Sequence, residues 1–234
     1  MRGALNRLLT DVRGQETVLG AFLAGSYARG MPMTTSDVDV FVVVPGLWRQ
    51  RQIRYREGYE FEVFFNPVAQ LERELAEGQS EANSSTVSIL HDADIIDDAT
   101  GVIARLKARA QAIWVAGPPA CLPPAAQLLR YAVSDQVKDV RDLLDAGRRE
   151  AAQILAGSLM VTMLEAYFRL HRLWAPKPKN VVEAFLARHP DLHDVLRLAL
   201  TADLANLEAL ADHVLAPVGG RIQGDWTLPK EPLG

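Results

Sequence analysis

The sequence predicts an α+β fold, in which a small mixed β-sheet domain is followed by an antiparallel helical bundle. Three observations lead to this prediction. Short β-branched runs alternate with helical patterns in the first half, four prolines cluster between Gly117 and Pro124, and only helical patterns follow. Proline lacks an amide proton, so such a cluster cannot continue a helix or a central strand. We predict a first domain over residues 1–116, a linker over 117–124, a helical bundle over 125–216 and a tail over 217–234.

Composition narrows the class of protein. The chain has 234 residues, of which 49% are hydrophobic and 23% charged, as in ordinary globular proteins. It contains no uninterrupted apolar run near the ~18 residues that span a bilayer, and no secretory signal pattern. The single cysteine, Cys121, can form no internal disulfide, so we expect a reducing, cytoplasmic location. The net charge of -4 argues against an extended nucleic-acid surface.

The elements of the first domain follow from local patterns. The apolar run Val18–Ala24 and the β-branched run Asp37–Val44 are typical of buried strands. The dipeptide Glu57-Gly58 lies between two further strand patterns and predicts a hairpin turn. We predict helices over 4–12, 67–77 and 100–115, and strands over 18–24, 37–44, 52–55, 59–65 and 88–91.

The second half has helical periodicity and helix stops. Gly147 is a natural end for the first of its helices, and Asp191 is a candidate cap for the last. Short loops between successive helices favour antiparallel neighbours, hence a bundle of four. The predicted helices cover residues 124–146, 150–174, 180–188 and 191–215.

The residues that point to a function lie where the chain passes from the first predicted strand to the second. Gly25 and Ser26 follow a buried strand, where glycine permits a sharp turn and close backbone approach, and such a corner suits a phosphate. Asp37 and Asp39 lie at i and i+2 on a strand, so their side chains leave the same face, with Cα atoms about 6.7 Å apart. Two carboxylates that repel each other can converge on one hard cation such as Mg²⁺.

A third carboxylate is expected on a neighbouring strand. Glu62 is flanked by Phe61 and Val63, and an acid inside such an apolar strand is not typical of an ordinary surface residue. Glu60 lies on the same face and is the second choice. A structural alternative for Glu62 is an edge-strand carboxylate paired with an arginine.

This pattern of Gly25-Ser26, Asp37-Val38-Asp39 and a later Glu62 resembles the DNA polymerase beta-like nucleotidyltransferase superfamily. Its minimal nucleotidyltransferases and kanamycin-type aminoglycoside nucleotidyltransferases are the most similar members. The resemblance covers roughly residues 18 to 110. It implies that Asp37 and Asp39 hold two Mg²⁺ ions, that Glu62 shares one of them, and that these three residues are catalytic. It also implies that Gly25 and Ser26 contact the nucleoside triphosphate.

Three further residues are assigned to the nucleotide, two of them with an alternative. Arg29 could contact a phosphate oxygen or be a surface residue. Ser36 directly precedes the paired aspartates. Lys179, in a proline-stiffened loop of the helical half, is expected to reach the triphosphate as a basic residue does in some relatives; its alternative role is loop solubility.

The resemblance implies transfer of a nucleoside monophosphate, AMP from ATP, to a hydroxyl of a small molecule such as an aminoglycoside. Pyrophosphate would be released. Glu60, Asp92, Asp94, Asp97 and Asp98 are compatible with a polycationic acceptor. The alternative is a minimal-nucleotidyltransferase antitoxin that binds or adenylylates a helical toxin protein. A homodimer is compatible with either function, and no membrane partner is expected.

Overall fold

The structure is a computed structural model that describes residues 1–78 and 85–228. The chain divides into two compact units, residues 1–118 and 119–234. The division falls within the proline cluster. Each unit encloses its own cluster of buried apolar side chains.

The first unit consists of one mixed sheet with helices, so the predicted α+β class is confirmed. Its elements differ from the predicted ones mainly at their ends. In chain order they are α1 (Arg2–Arg13), β1 (Gly20–Leu23), α2 (Gly25–Ala28), β2 (Val38–Val44), β3 (Gln50–Arg56), β4 (Tyr59–Pro67), α3 (Val68–Gly78), α4 (Ser85–His91), β5 (Asp94–Asp97) and α5 (Val102–Ala116).

The sheet has the order β3-β4-β2-β1-β5. Strands β2 and β4 are parallel, and the other neighbouring pairs are antiparallel. The predicted hairpin joins β3 to β4 through Glu57 and Gly58, which both have positive φ, 52° and 79°. Positive φ at both central residues is the requirement of a type I′ turn, whose twist matches that of the flanking strands. The hairpin thus carries β4 back into the sheet alongside β2.

The two faces of the sheet have different coverings. Helix α1 buries Leu5, Leu8 and Val12, at helical spacing, against one face. The opposite face carries Phe22 and is covered by α5. Ile103 of α5 packs directly on Gly20, since a Cβ atom added to Gly20 would be 2.7 Å from the Cδ1 atom of Ile103. Both faces of the central strands are therefore covered, which explains the nearly continuous apolar run of β2.

The predicted strand over residues 88–91 is wrong. These residues belong to helix α4, in which Val87 and Leu90 are buried at i and i+3. The run Ser88–His91 is too short to show a period of its own, and packing against the neighbouring helices decides its conformation. The fifth strand is instead β5, a stretch of acidic and apolar residues that pairs with β1.

The second unit is helical throughout its described residues. Helices α6 (Pro123–Asp145) and α7 (Arg149–Leu170) form its longest pair. Shorter α-helices follow, separated by 3₁₀ turns. They are α8 (Val181–Leu186), α9 (His193–Ala199) and α10 (Leu204–Leu215), with 3₁₀ turns at Pro178–Asn180, Pro190–Leu192 and Ala216–Val218.

Helix α7 is the apolar centre of this unit. By length and composition it is the one helix within residues 1–78 and 85–228 that could cross a membrane, and half of its apolar window is buried inside the protein. Leu159, Met163 and Phe168 are almost completely buried in the helical core. A core helix of a globular bundle has these same properties.

The single helix predicted from Asp191 to Leu215 is also wrong. The chain forms a 3₁₀ turn at Pro190–Leu192, then α9, and breaks at Ala202, whose φ is 59°. A second helix then starts with Asp203 as its cap, since the Asp203 carboxylate accepts a hydrogen bond of 3.1 Å from the Asn206 amide. The predicted bundle of four helices therefore contains an additional break.

The segment predicted as a tail, as far as residue 228, packs on α6 and α10. Arg130 donates to the carbonyl oxygen of Gly220 at 2.7 Å, and Arg221 forms hydrogen bonds of 3.0 Å with Asp212. Trp226 stacks on Tyr131 with ring centroids 5.4 Å apart. Residues 229–234 lie outside the described part of the chain.

Candidate active site

Three carboxylates meet at one end of the two parallel central strands. The register of β2 and β4 pairs Asp39 directly with Glu62. Asp37 leaves the same face two residues earlier. One carboxylate oxygen from each of Asp37, Asp39 and Glu62 lies within 4.8 Å of the others, and all three residues are partly buried. The structure therefore brings together the three acids on which the sequence prediction depends.

This cluster fits a magnesium ion by charge and by size. Carboxylate oxygens are the ligands that Mg²⁺ prefers, and they bind it at about 2.1 Å. Two oxygens of one such ion can therefore be at most about 4.2 Å apart. The observed spread of up to 4.8 Å requires a movement of well under 1 Å. Asp37, Asp39 and Glu62 are thus the residues that would hold a metal.

Gly25 lies against this cluster, and any larger residue at this position would clash with Asp39. Its φ is +66°, a conformation that disfavours L side chains. A Cβ atom added there would be 3.2 Å from the Cγ atom of Asp39 and would overlap its Oδ2 atom. The Ala24 amide also donates to the Asp39 carbonyl oxygen at 3.0 Å. The corner after β1 is therefore fixed against β2 beside the acids.

The predicted nucleotide ligands around this corner have different surroundings. Ser26 is partly buried, and its hydroxyl has no hydrogen-bond partner within residues 1–78 and 85–228. Ser36 accepts a hydrogen bond of 2.9 Å from the Met33 amide, so it stabilises the turn before β2. Arg29 ends the α2 turn and lies 3.4 Å from Asp92. Their contacts with a nucleotide remain predictions.

Lys179 belongs to the second unit. It lies in the exposed 3₁₀ turn Pro178–Asn180 that precedes α8. Its predicted role at the triphosphate remains a prediction.

Arg51 pairs with Glu62, as the alternative interpretation of Glu62 expected, although the sequence interpretation did not name this arginine. Its Nη2 atom donates to both carboxylate oxygens of Glu62, at 2.8 and 2.7 Å. A sequence signal did exist. A two-residue turn at Glu57-Gly58 places Ile53 opposite Glu62 and Arg51 opposite Phe64. Extending the predicted strand by one residue, to 51, would have placed Arg51 beside the acid.

A row of aromatic side chains lies next to the acids on the same face of the sheet, two residues further along β2 and β4. Phe22, Phe41 and Phe64 stack across β1, β2 and β4, with ring centroids 5.0 and 4.6 Å apart. The guanidinium of Arg51 covers the last ring at 4.9 Å from its centroid. Because these side chains are packed against one another, the acidic cluster borders a well-packed part of the sheet.

The open side of this face continues onto the edge strand. Ile53 and Tyr55 are 55% and 66% exposed, respectively. The Tyr55 hydroxyl donates to Glu60 at 3.1 Å, and this hydrogen bond raises the pKa of Tyr55 above its ordinary value. An aromatic ring, an aliphatic side chain and a second carboxylate thus lie next to Glu62.

The other acids proposed for a cationic acceptor do not gather with Glu60. Asp92 contacts His91 at 2.7 Å and Arg29, while Asp97 pairs with Arg13 at 2.7 Å. The carboxylate of Asp98 accepts hydrogen bonds from two backbone amides at the start of α5. Asp94 lines a cavity of about 400 Å³ beside α1. Three of these acids therefore have local structural partners, and Asp94 lies at the cavity beside α1.

Comparison with known proteins agrees with this geometry. Residues 5–100 match the nucleotidyltransferase domain family. Ten chains of solved structures match, among them a nucleotidyltransferase-like protein from Exiguobacterium sibiricum with 14% identity and a TM-score of 0.52. That alignment covers 92% of this chain and 74% of the other, and at this identity it concerns the fold alone. None of the curated proteins matches the sequence.

A mixed sheet with clustered carboxylates beside a glycine corner is an arrangement that can bind a metal ion together with phosphates. Residues 5–100, which match this family, form a nucleotidyltransferase domain, as the residue pattern predicted. Nucleotidyltransferases generally use a divalent metal, and Asp37, Asp39 and Glu62 form an acidic cluster that could hold one.

Proposed function

We propose that this protein transfers a nucleoside monophosphate, AMP from ATP, to a hydroxyl group of a small cationic acceptor such as an aminoglycoside. The observation that carries the proposal is the convergence of Asp37, Asp39 and Glu62 beside Gly25. Three like charges at one point destabilise a protein unless a cation is bound, so folding alone gives no reason for them.

Asp37 and Asp39 are the proposed ligands of two Mg²⁺ ions, and Glu62 shares one of them. Bound Mg²⁺ neutralises charge on the phosphates and favours the ionised form of the attacking hydroxyl. In the transfer, the acceptor oxygen forms a bond to the α-phosphorus, the bond from that phosphorus to the bridging oxygen breaks, and pyrophosphate leaves. Glu62 is the proposed acceptor of the hydroxyl proton.

Gly25 and Ser26 are the proposed contacts for the triphosphate. The glycine allows close approach of the backbone, and the serine hydroxyl has no competing partner among the residues described. Arg29, Ser36 and Lys179 are further proposed nucleotide ligands. Arg29 would have to exchange its 3.4 Å contact with Asp92 for a phosphate oxygen.

The exposed edge beside Glu62 supports a small cationic acceptor. Tyr55 offers an exposed ring face and the partly buried Glu60 a carboxylate, both on the face that carries the three acids. A sugar ring with amino groups would match such a surface, because its apolar face can stack and its ammonium groups can pair with the carboxylate.

The test is transfer of radiolabel from α-labelled ATP to a panel of aminoglycosides, with release of pyrophosphate measured in parallel. We expect Mg²⁺-dependent labelling by the wild type and a loss of about a thousandfold for Asp37→Asn or Asp39→Asn. Asp97→Asn, which removes an acid of the same unit outside the cluster, is the control and should transfer normally. Transfer that persists in both cluster variants would refute the assignment.

The antitoxin alternative shares the same chemistry but has a protein acceptor. Within the part of the chain that the structure describes, no observation favours it over a small acceptor. Labelling of a co-expressed helical protein instead of any small molecule in the same assay would replace the proposed acceptor class.

A further inference from the structure

The contact between Arg51 and Glu62 joins an exposed side chain to a largely buried one. The Arg51 side chain is 62% exposed, whereas that of Glu62 is 15% exposed. Arg51 bridges both oxygens of Glu62 from one terminal nitrogen and rests on the ring of Phe64. An exposed arginine can leave such a contact at little cost in packing, while the carboxylate stays in place.

The same contact sets the charge balance of the site. Asp37, Asp39 and Glu62 place three carboxylates within 4.8 Å of one another, and Arg51 supplies a cation for one of them. A divalent ion that binds the three acids would lie within a few ångströms of the guanidinium. Like charges at that distance repel, and the repulsion opposes binding of the ion.

We infer that Arg51 is a positioning residue that competes with the metal for Glu62. Without metal, it compensates the negative charge and holds both carboxylate oxygens of Glu62. When a divalent ion is bound, Arg51 gives up the carboxylate. The affinity for the bare ion is therefore kept low by this arginine. This inference rests on the proposed metal site and adds to it a residue that tunes its occupancy.

The experiment measures metal affinity in the absence of nucleotide. Mn²⁺ is titrated into the full chain, and the free ion is quantified by electron paramagnetic resonance. For Arg51→Gln we expect about fivefold tighter binding than for the wild type, since one repelling charge is removed. Arg51→Lys keeps the charge and should remain closer to the wild type. A lower melting temperature of metal-free Arg51→Gln is also expected, because the three acids lose their counter-ion.

A second arginine of β3 provides the matched control. Arg54 lies on the opposite face, where it donates to Gln52 at 2.7 Å and to Gln15 at 3.2 Å. Arg54→Gln removes the same charge from the same strand and should leave the Mn²⁺ affinity unchanged. An equal change in both variants would overturn the inference, as would unchanged or weaker binding by Arg51→Gln.

A double-mutant cycle separates this inference from the proposed function. In a Glu62→Gln background the carboxylate for which Arg51 competes is absent, so Arg51→Gln should have a much smaller effect on Mn²⁺ affinity. If the wild type binds Mn²⁺ and Asp39→Asn does not, but Arg51→Gln has the same Mn²⁺ affinity as the wild type, only the inference about Arg51 fails. If Asp39→Asn leaves Mn²⁺ binding intact, the metal site itself is wrong and the proposed function fails with it.

Discussion

The two units use charged side chains in opposite ways. In the second unit, Arg221 lies between Asp212 and Glu208, with contacts of 3.0 and 3.1 Å, and only 14% of its side chain is exposed. Opposite charges alternate there and satisfy one another. In the first unit, Asp37, Asp39 and Glu62 converge. Arg51, itself largely exposed, is bonded to the last of them.

This difference distinguishes charges that hold a fold together from charges that serve a ligand. The Arg221 network connects the carboxy-terminal segment to α10, so its energy contributes to folding. The convergence of acids opposes folding and is relieved by a bound cation. Substitutions in the second unit should therefore change stability, and substitutions at the acids should change ligand binding.

The largest expected effect concerns the acids and thermal stability with ligand. For the wild type, Mg²⁺ with ATP at about a hundred times its dissociation constant should add about 2.7 kcal/mol to the free energy of unfolding. Asp37→Asn should lose most of this gain, while its melting temperature without metal stays equal or rises because repulsion is relieved. Differential scanning fluorimetry with and without Mg²⁺ and ATP measures both. Unfolding of the metal-free variant would instead indicate a structural role.

The next effect concerns the glycine corner. Gly25→Ala should lower the free energy of unfolding by about 2 kcal/mol, because an L residue at positive φ costs about 1–2 kcal/mol and its Cβ overlaps Asp39. It should also weaken ATP binding, measured by calorimetry. Gly30→Ala is the control: its φ is +70°, but nothing lies within 4 Å of an added Cβ. Equal losses of ATP binding in the two variants would contradict a specific role for the corner.

A third prediction tests the paired charges of the second unit. Arg221→Met should lower the free energy of unfolding by about 1–2 kcal/mol, since partly buried acids lose their partner. Burial alone would raise the pKa of Asp212, but hydrogen bonds and charge from Arg221 outweigh it and lower that pKa. The stabilisation is thus present above the ordinary aspartate pKa of about 3.9 and is lost as pH falls below it.

Urea unfolding at neutral pH and at about pH 3 measures this contribution of Arg221, and the difference between wild type and variant should shrink in acid. Arg197→Met is the control, because Arg197 contacts the exposed Asp194 at 3.6 Å. Such a surface pair should contribute less than about 1 kcal/mol. A larger loss in the control than in Arg221→Met would reverse the comparison.

The smallest expected effect concerns a histidine of the helical core. Burial, followed by the neighbouring His189, lowers the pKa of His213 below its ordinary value. The unfolded chain then binds a proton more readily than the folded one, so stability should fall as pH drops below about 6.5. The melting temperature between about pH 7.5 and about pH 5.5 measures this slope. His213→Gln should flatten it, whereas the exposed His193→Gln should not.

Several features could be predicted because they depend on neighbours in sequence. The hairpin at Glu57-Gly58 follows from the φ requirement of its turn, and β2 follows from its β-branched run. The strand predicted over residues 88–91 failed because a short apolar run has no decisive periodicity. There, packing of Val87 and Leu90 selected a helix. The break at Ala202 was missed for a similar reason, because helical periodicity continues on both sides of it.

The sequence by itself determined the acids and the glycine corner, since residue type and spacing along one strand are local properties. Only the tertiary structure decided that Asp39 faces Glu62, because the register of two parallel strands depends on how distant segments pack. It also decided that Glu62 lies between Arg51, which donates to both of its oxygens, and the two aspartates. Charges separated along the chain interact only once folding has brought them within a few ångströms.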